Sequence, residues 1–138
     1  MFKKVLIPVD VTVKEDAQKL LKAAKSLTAG WACEIHVATV VPTVSMPIVG
    51  SYFDKDFEAK SSAAAAQELA STVSGADIDA YEHVLAGTVY DAVIDKASKL
   101  GVDLILIGAH QPDLRDYLLG SNAARVVRHS KSSVLVLR

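Results

Sequence analysis

Three places along the chain carry groups that could meet a ligand: Asp10, Gly108 with His110, and the run Gly120-Ser121-Asn122-Ala123. The glycine at 120 lets the main chain approach a guest closely, while Ser121 and Asn122 add side-chain donors at what reads as the first turn of a helix. First-turn amides have no intrahelical acceptor and stand at the positive end of the helix dipole. The guest they suit is an anion, a phosphate above all. Ser and Asn are also ordinary helix caps, so the run by itself is equally the start of a plain helix. Asp10 has two readings as well. An Asp just past a strand commonly forms a turn, and the same carboxylate could accept from an adenine amine or a ribose hydroxyl, or stand in the outer shell of a metal.

Other chemistries find little to work with. His36, His83, His110 and His129 fall on different predicted elements, with no His-x-x-x-His spacing and no cysteine beside them. His36 reads as a structural strand residue. His129 follows Arg125 and Arg128 near a helix end, where positive charge suits the dipole. Cys33 is the only cysteine, so an internal disulfide is excluded, and it reads as a small core or half-buried thiol. There is no Gly-x-Ser-x-Gly elbow, no Walker phosphate loop and no Gly-x-Gly-x-x-Gly fingerprint.

The elements that must position these groups follow from hydrophobic periodicity. Val5 to Val9 reads as a first buried strand ending at Asp10, with Pro8 near its end, where a lost donor costs least. From Glu15 to Leu27 apolar residues recur at three and four, which predicts an amphipathic helix closed by Gly30. Glu34 to Val41 is a second strand. Thr43 to Asp54 is irregular but too apolar for a linker, and reads as a loop packed on something. Asp56 to Val73 is an alanine-rich helix, and Asp79 to Leu85 a more polar strand suited to a sheet edge. Thr88 would cap a third helix, stopped by Gly101. Asp103 to Ile107 is a fourth strand, about Ser121 to His129 a fourth helix, and Ser133 to Leu137 a fifth strand.

This alternation predicts an α/β fold: one domain over 1–138, an open parallel five-stranded sheet, Rossmann-like, with helices on both faces. The expected strand order is 3-2-1-4-5, with a switch point beside the first strand. Ligands then gather where Asp10 and Gly108 lie. The length suits a single core. With 15 basic against 16 acidic side chains, nothing draws the chain to nucleic acid or to a membrane surface. The apolar stretch after Met1 ends at Pro8, too short for a signal peptide, so a cytoplasmic protein is expected.

These residues carry a family resemblance. Lys3-Lys-Val-Leu-Ile-Pro-Val-Asp10, His36-Val37, Gly87, Gly101-Val-Asp-Leu-Ile-Leu-Ile-Gly108 and Ser133-Val-Leu-Val-Leu137 resemble, in order, the landmarks of a universal stress protein. Nucleotide-binding members carry three spaced glycines, the last followed by Ser or Thr. Gly108, Gly120 and Ser121 match that pattern; Gln111 stands at the middle glycine, and the spacer after it is one residue short. Pro112-Asp113 and Tyr117-Leu-Leu-Gly-Ser-Asn-Ala-Ala124 are similar to a branch that keeps nucleotide binding with a modified loop.

The resemblance implies a stress-response regulatory protein that binds ATP, ADP or AMP, with or without Mg2+. Pro8, Val9, Asp10 and Val37 would surround adenine and ribose, and Gly108, His110, Gly120, Ser121, Asn122 and Ala123 the ribose and phosphates. It also implies a homodimer through the fifth strand, whose two faces are both apolar, and a regulatory protein partner. Two alternatives stand beside this reading: an interaction module that needs no nucleotide, and a slow ATPase in which His110, Asp113 and Arg115 are the loop side chains available to water and phosphate.

Overall fold

The computed structural model describes residues 1–42, 51–109 and 120–138, and of 51–58 the backbone only. Its elements are β1 (Lys4–Pro8), α1 (Lys14–Thr28), β2 (Glu34–Val41), α2 (Ser51–Gly75), β3 (Tyr81–Ala86), α3 (Val89–Leu100), β4 (Leu104–Gly108), α4 (Ser121–His129) and β5 (Ser133–Leu137). All recorded strand pairings are parallel, and the order is β3-β2-β1-β4-β5, as expected.

β1 and β4 are central and covered on both faces, which is why each is a run of apolar residues rather than an alternation. Val5, Ile7, Leu104 and Leu106 point to one side, into a core shared with Ala17, Leu21 and Ala24 of α1 and Leu69 and Val73 of α2. Leu6, Ile105 and Ile107 point to the other, against Val93 and Ala97 of α3 and Ala123 and Val126 of α4.

The amino edge of the sheet is fastened by Asp103. Its carboxylate accepts from the backbone N–H groups of Lys3 and Lys4, both at 2.9 Å, and its own N–H donates to the Lys4 carbonyl. Desolvation pushes this carboxyl up, but the donated N–H bonds and the Lys3 charge together hold it below the ordinary range.

Several boundaries depart from expectation. α2 begins at Ser51, so the last residues of the loop expected over 43–54 are helical; 43–50 lie outside the described residues. No Gly or Pro interrupts the chain between Gly50 and Gly75, so nothing stops the helix from starting early. β3 starts later than expected, after a turn in which Asp77 takes φ +52 and Ile78 is buried. Thr88 occupies the N-cap position of α3, but its hydroxyl makes no capping bond.

Replacing Asp103 with Ala should lower stability at neutral pH by about 1 kcal/mol, discounted for the exposure of the carboxylate. The depressed carboxyl stabilises the fold above its unfolded value of 3.8, and that contribution is lost as the pH falls through the folded value. Urea denaturation of wild type and variant should therefore differ at pH 7 and converge in strong acid.

Candidate functional site

The ladders of the central strands are unequal. β1 pairs with β2 at five positions, Lys4↔Glu34 through Pro8↔Ala38, but with β4 at two, Val5↔Leu104 and Leu6↔Ile105. β4 meanwhile pairs with β5 as far as Gly108↔Leu137. Beyond its end each central strand stays with its outer neighbour: the Val9 N–H donates to the Ala38 carbonyl at 2.8 Å, and the Ala109 N–H to the Leu137 carbonyl at 2.9 Å. The sheet thus parts between β1 and β4 at its carboxyl edge. This is also where the strand order reverses, the place at which open α/β sheets receive ligands.

Asp10 stands at one lip of this opening and Gly108 at the other. Asp10 is exposed, and its Oδ1 accepts from the Thr12 N–H at 2.9 Å and the Thr12 hydroxyl at 2.6 Å. That closes the turn into α1, whose own N-cap, Val13, offers no side-chain bond. The turn-forming reading of Asp10 therefore holds. Gly108 is half-buried, and a methyl group there would make ordinary contact with Leu20 Cδ2 at 3.7 Å.

A helix that leads into a parallel strand must run antiparallel to it, so α4 presents its amino end at the same carboxyl edge. Gly120 is its buried N-cap, with φ −59 and ψ 151, a conformation open to any residue. Space, not backbone strain, is what a side chain at position 120 would change. Ser121 is exposed, Asn122 half-buried and Ala123 buried. Gly120 has no side chain with which to cap α4, and the first turn of the helix holds no acid, which favours a positive potential at that end.

The remaining candidates fall differently. Pro8 and Val9 are buried at the end of β1. Val37 has no exposed surface and its side chain lies in the core under α1 and α2, so a guest in the opening can meet only its main chain. His110, Gln111, Asp113 and Arg115 lie outside the described residues.

One cluster escaped the sequence reading. His36 is 4% exposed, its Nε2 lies 2.5 Å from Glu34 Oε1, and its Nδ1 lies 2.8 Å from Nε2 of His83 on β3. Its ring also stacks on Tyr81 at 5.0 Å. The hydrogen bond from His36 holds the Glu34 carboxyl below its usual range, helped by Lys4. Burial, then the charges of Lys96 and His36, push the His83 imidazole down. The contact depends on the β2–β3 register, which pairs Ala38 with His83, and no local pattern reports that register. Among the described residues, no three His, Cys, Asp or Glu side chains are placed to hold a metal ion.

The parallel sheet with its central strands parted at the carboxyl edge and the amino end of α4 beside them define a Rossmann-like domain. The sequence model of the universal stress protein family matches residues 1–138, and the chain belongs to that family. Universal stress protein G of Shigella flexneri is 35% identical over 143 residues, with both chains fully covered. The solved structure of MJ0577, a universal stress protein of Methanocaldococcus jannaschii, is similar with a TM-score of 0.77 and 27% identity, over 99% of this chain and 96% of that one. A universal stress protein crystallised in complex with cAMP has the same fold, with a TM-score of 0.69 and 23% identity over 99% and 97% of the two chains.

The Asp10 turn can be tested without any ligand. Asp10→Ala removes the acceptor of two bonds at an exposed turn and should cost about 0.5–1 kcal/mol by chemical denaturation, leaving the fold intact by circular dichroism.

Proposed function

We propose that the protein binds ATP or another adenine nucleotide in the opening between the carboxyl ends of β1 and β4, and acts in the cytoplasm as a stress-response regulator. The observation that carries this reading is the parting of β1 from β4 after Leu6 and Ile105, with the amino end of α4, capped by a glycine, at the same edge. The occupancy of a family member by cAMP supports an adenine guest. Gly120, Ser121, Asn122 and Ala123 would present first-turn amides and side-chain donors to phosphate, with Gly108 and His110 beside them. Asp10 would accept from the nucleoside, while Pro8, Val9 and the main chain at Val37 would form its apolar floor. Any Mg2+ would enter with the nucleotide and offset the negative charge of its phosphates.

The same arrangement argues for holding the nucleotide rather than cleaving it. Rapid hydrolysis needs an oriented water and compensation for charge that develops on the phosphates, and amide donors at a helix end already stabilise the ground state. A second reading, an interaction module that needs no nucleotide, is favoured by Gln111, which stands where the family pattern has glycine. Calorimetry with ATP separates the two. Wild type should bind, Gly120→Val should lose binding while remaining folded, and Asp10→Ala should bind more weakly. Turnover should stay below roughly one per second. Binding unchanged by Gly120→Val would place the nucleotide elsewhere, and no binding by wild type would favour the second reading.

We also propose a homodimer paired through β5, which lies at the sheet edge. Val134 and Val136 already pack on the core beside α3 and α4, and Leu135 and Leu137 on the other core, so a charged replacement there would perturb the fold as well. A backbone change is cleaner. The Leu137 carbonyl points inward to β4, and alternation along a strand then turns the Val136 N–H outward. Val136→Pro removes that donor and should yield monomer by light scattering at tens of micromolar, where wild type is a dimer.

A further inference from the structure

The Glu34, His36 and His83 cluster takes no part in the opening between β1 and β4. His36 shares the sheet face of Leu6 and Ala38, on the side of α3, and the contact with His83 joins β2 to the edge strand β3. Hydrogen-bond accounting fixes the protons. Glu34 is ionised, so His36 Nε2 must carry the hydrogen that it donates to Oε1. The 2.8 Å contact between His36 Nδ1 and His83 Nε2 then has room for one hydrogen. With both rings neutral, His83 donates Nε2–H to His36. With one added proton a single hydrogen still lies between the two nitrogens, and the contact persists. With two added protons both nitrogens carry hydrogen, and the contact becomes a repulsion between two cations.

We propose that Glu34, His36 and His83 form a proton-operated latch, which ties the edge strand β3 to β2 when the histidine pair holds no added proton or one, and releases it when the pair holds two. The charged and titratable groups around it act in the same sense. Lys4 of β1 lies 3.8 Å from Glu34 Oε1 and helps keep that carboxylate ionised, and so accepting. Lys96 of α3 opposes a cation on His83. Tyr81 of β3 stacks on His36, with ring centroids 5.0 Å apart, and covers one side of that ring. Burial is the main influence that lowers the His83 imidazole. A histidine depressed in the folded state stabilises it fully above the unfolded value of 6.5, and that stability drains away as the pH falls towards the folded value. The latch thus holds at neutral pH and loosens in mild acid.

The test is hydrogen exchange and imidazole nitrogen NMR on the full chain between about pH 7.5 and 5, a span bracketing the histidine range. After correction for intrinsic exchange, the opening constant of β3 amides should rise below about pH 6.5 by up to tenfold per pH unit, while β1 amides hold. His36 should carry its hydrogen on Nε2 at pH 7.5. His83→Gln, whose amide can donate to His36 Nδ1 but cannot take up a proton, should remove the pH dependence of β3. The proposal is overturned if β3 and β1 respond alike, if His83→Gln keeps the wild-type pH dependence, or if His36 proves to be the Nδ1–H tautomer. Should the variant not fold, the wild-type tautomer and the contrast between strands still decide.

Discussion

The structure turns on one strand that must satisfy two neighbours unequally. β1 is hydrogen-bonded to β2 along its length, yet to β4 only near its amino end, where Asp103 fastens the Lys3 and Lys4 amides. Apolar cover on both faces holds β1 in the middle of the sheet, since Val5, Leu6 and Ile7 have no exposed surface. A strand that is fixed at one end and shared at the other leaves a gap at the carboxyl edge. The gap is a consequence of core packing and topology, and the site groups are placed around it.

The groups at the gap are suited to binding because they are supported from behind. Asp10 is braced by Thr12 at the entrance to α1, and α1 is itself anchored through Ala17, Leu21 and Ala24 to the core beneath β1. On the other side Ala123 and Val126 seat α4 on the opposite face of the sheet, so the amino end of that helix is held by a second, separate core. The opening therefore lies between two elements that are each packed independently. Elements seated on separate cores in this way would not have to be ordered when the proposed nucleotide arrives, which lowers the cost of binding.

Much of this was legible in the sequence, and what was not shares a physical cause. The strand and helix order followed from apolar runs and glycine stops, and the strand order followed because parallel neighbours require crossovers. Boundaries failed where the signal was permissive rather than directive, as at Ser51, where nothing forbids helix. Asp10, Gly108 and Gly120 announced themselves by residue type beside an element end. Val37 did not disclose that its side chain belongs wholly to the core, because a strand residue's face is set by register. His36 and His83 are the clearest case: they lie far apart in sequence, and only the pairing of β2 with β3 brings their rings within 2.8 Å.

The two edges of the sheet answer the hazard of unpaired strands in opposite ways. β5 reads Ser-Val-Leu-Val-Leu, with no charge to discourage another strand from adding to it. β3 carries Tyr81, Glu82 and His83 at its start, with Tyr81 61% exposed and Glu82 exposed beside it. A charged, bulky edge repels strand addition, and an apolar one invites it. A chain of this design can pair through one edge without growing from the other, because strand addition at β5 leaves β3 of each copy facing water. His83 serves both ends at once, since it adds a polar ring to this edge and bonds through Nε2 to His36 of β2. At this edge protection from other strands and attachment to β2 therefore meet in the His83 side chain, while Glu82 beside it faces water.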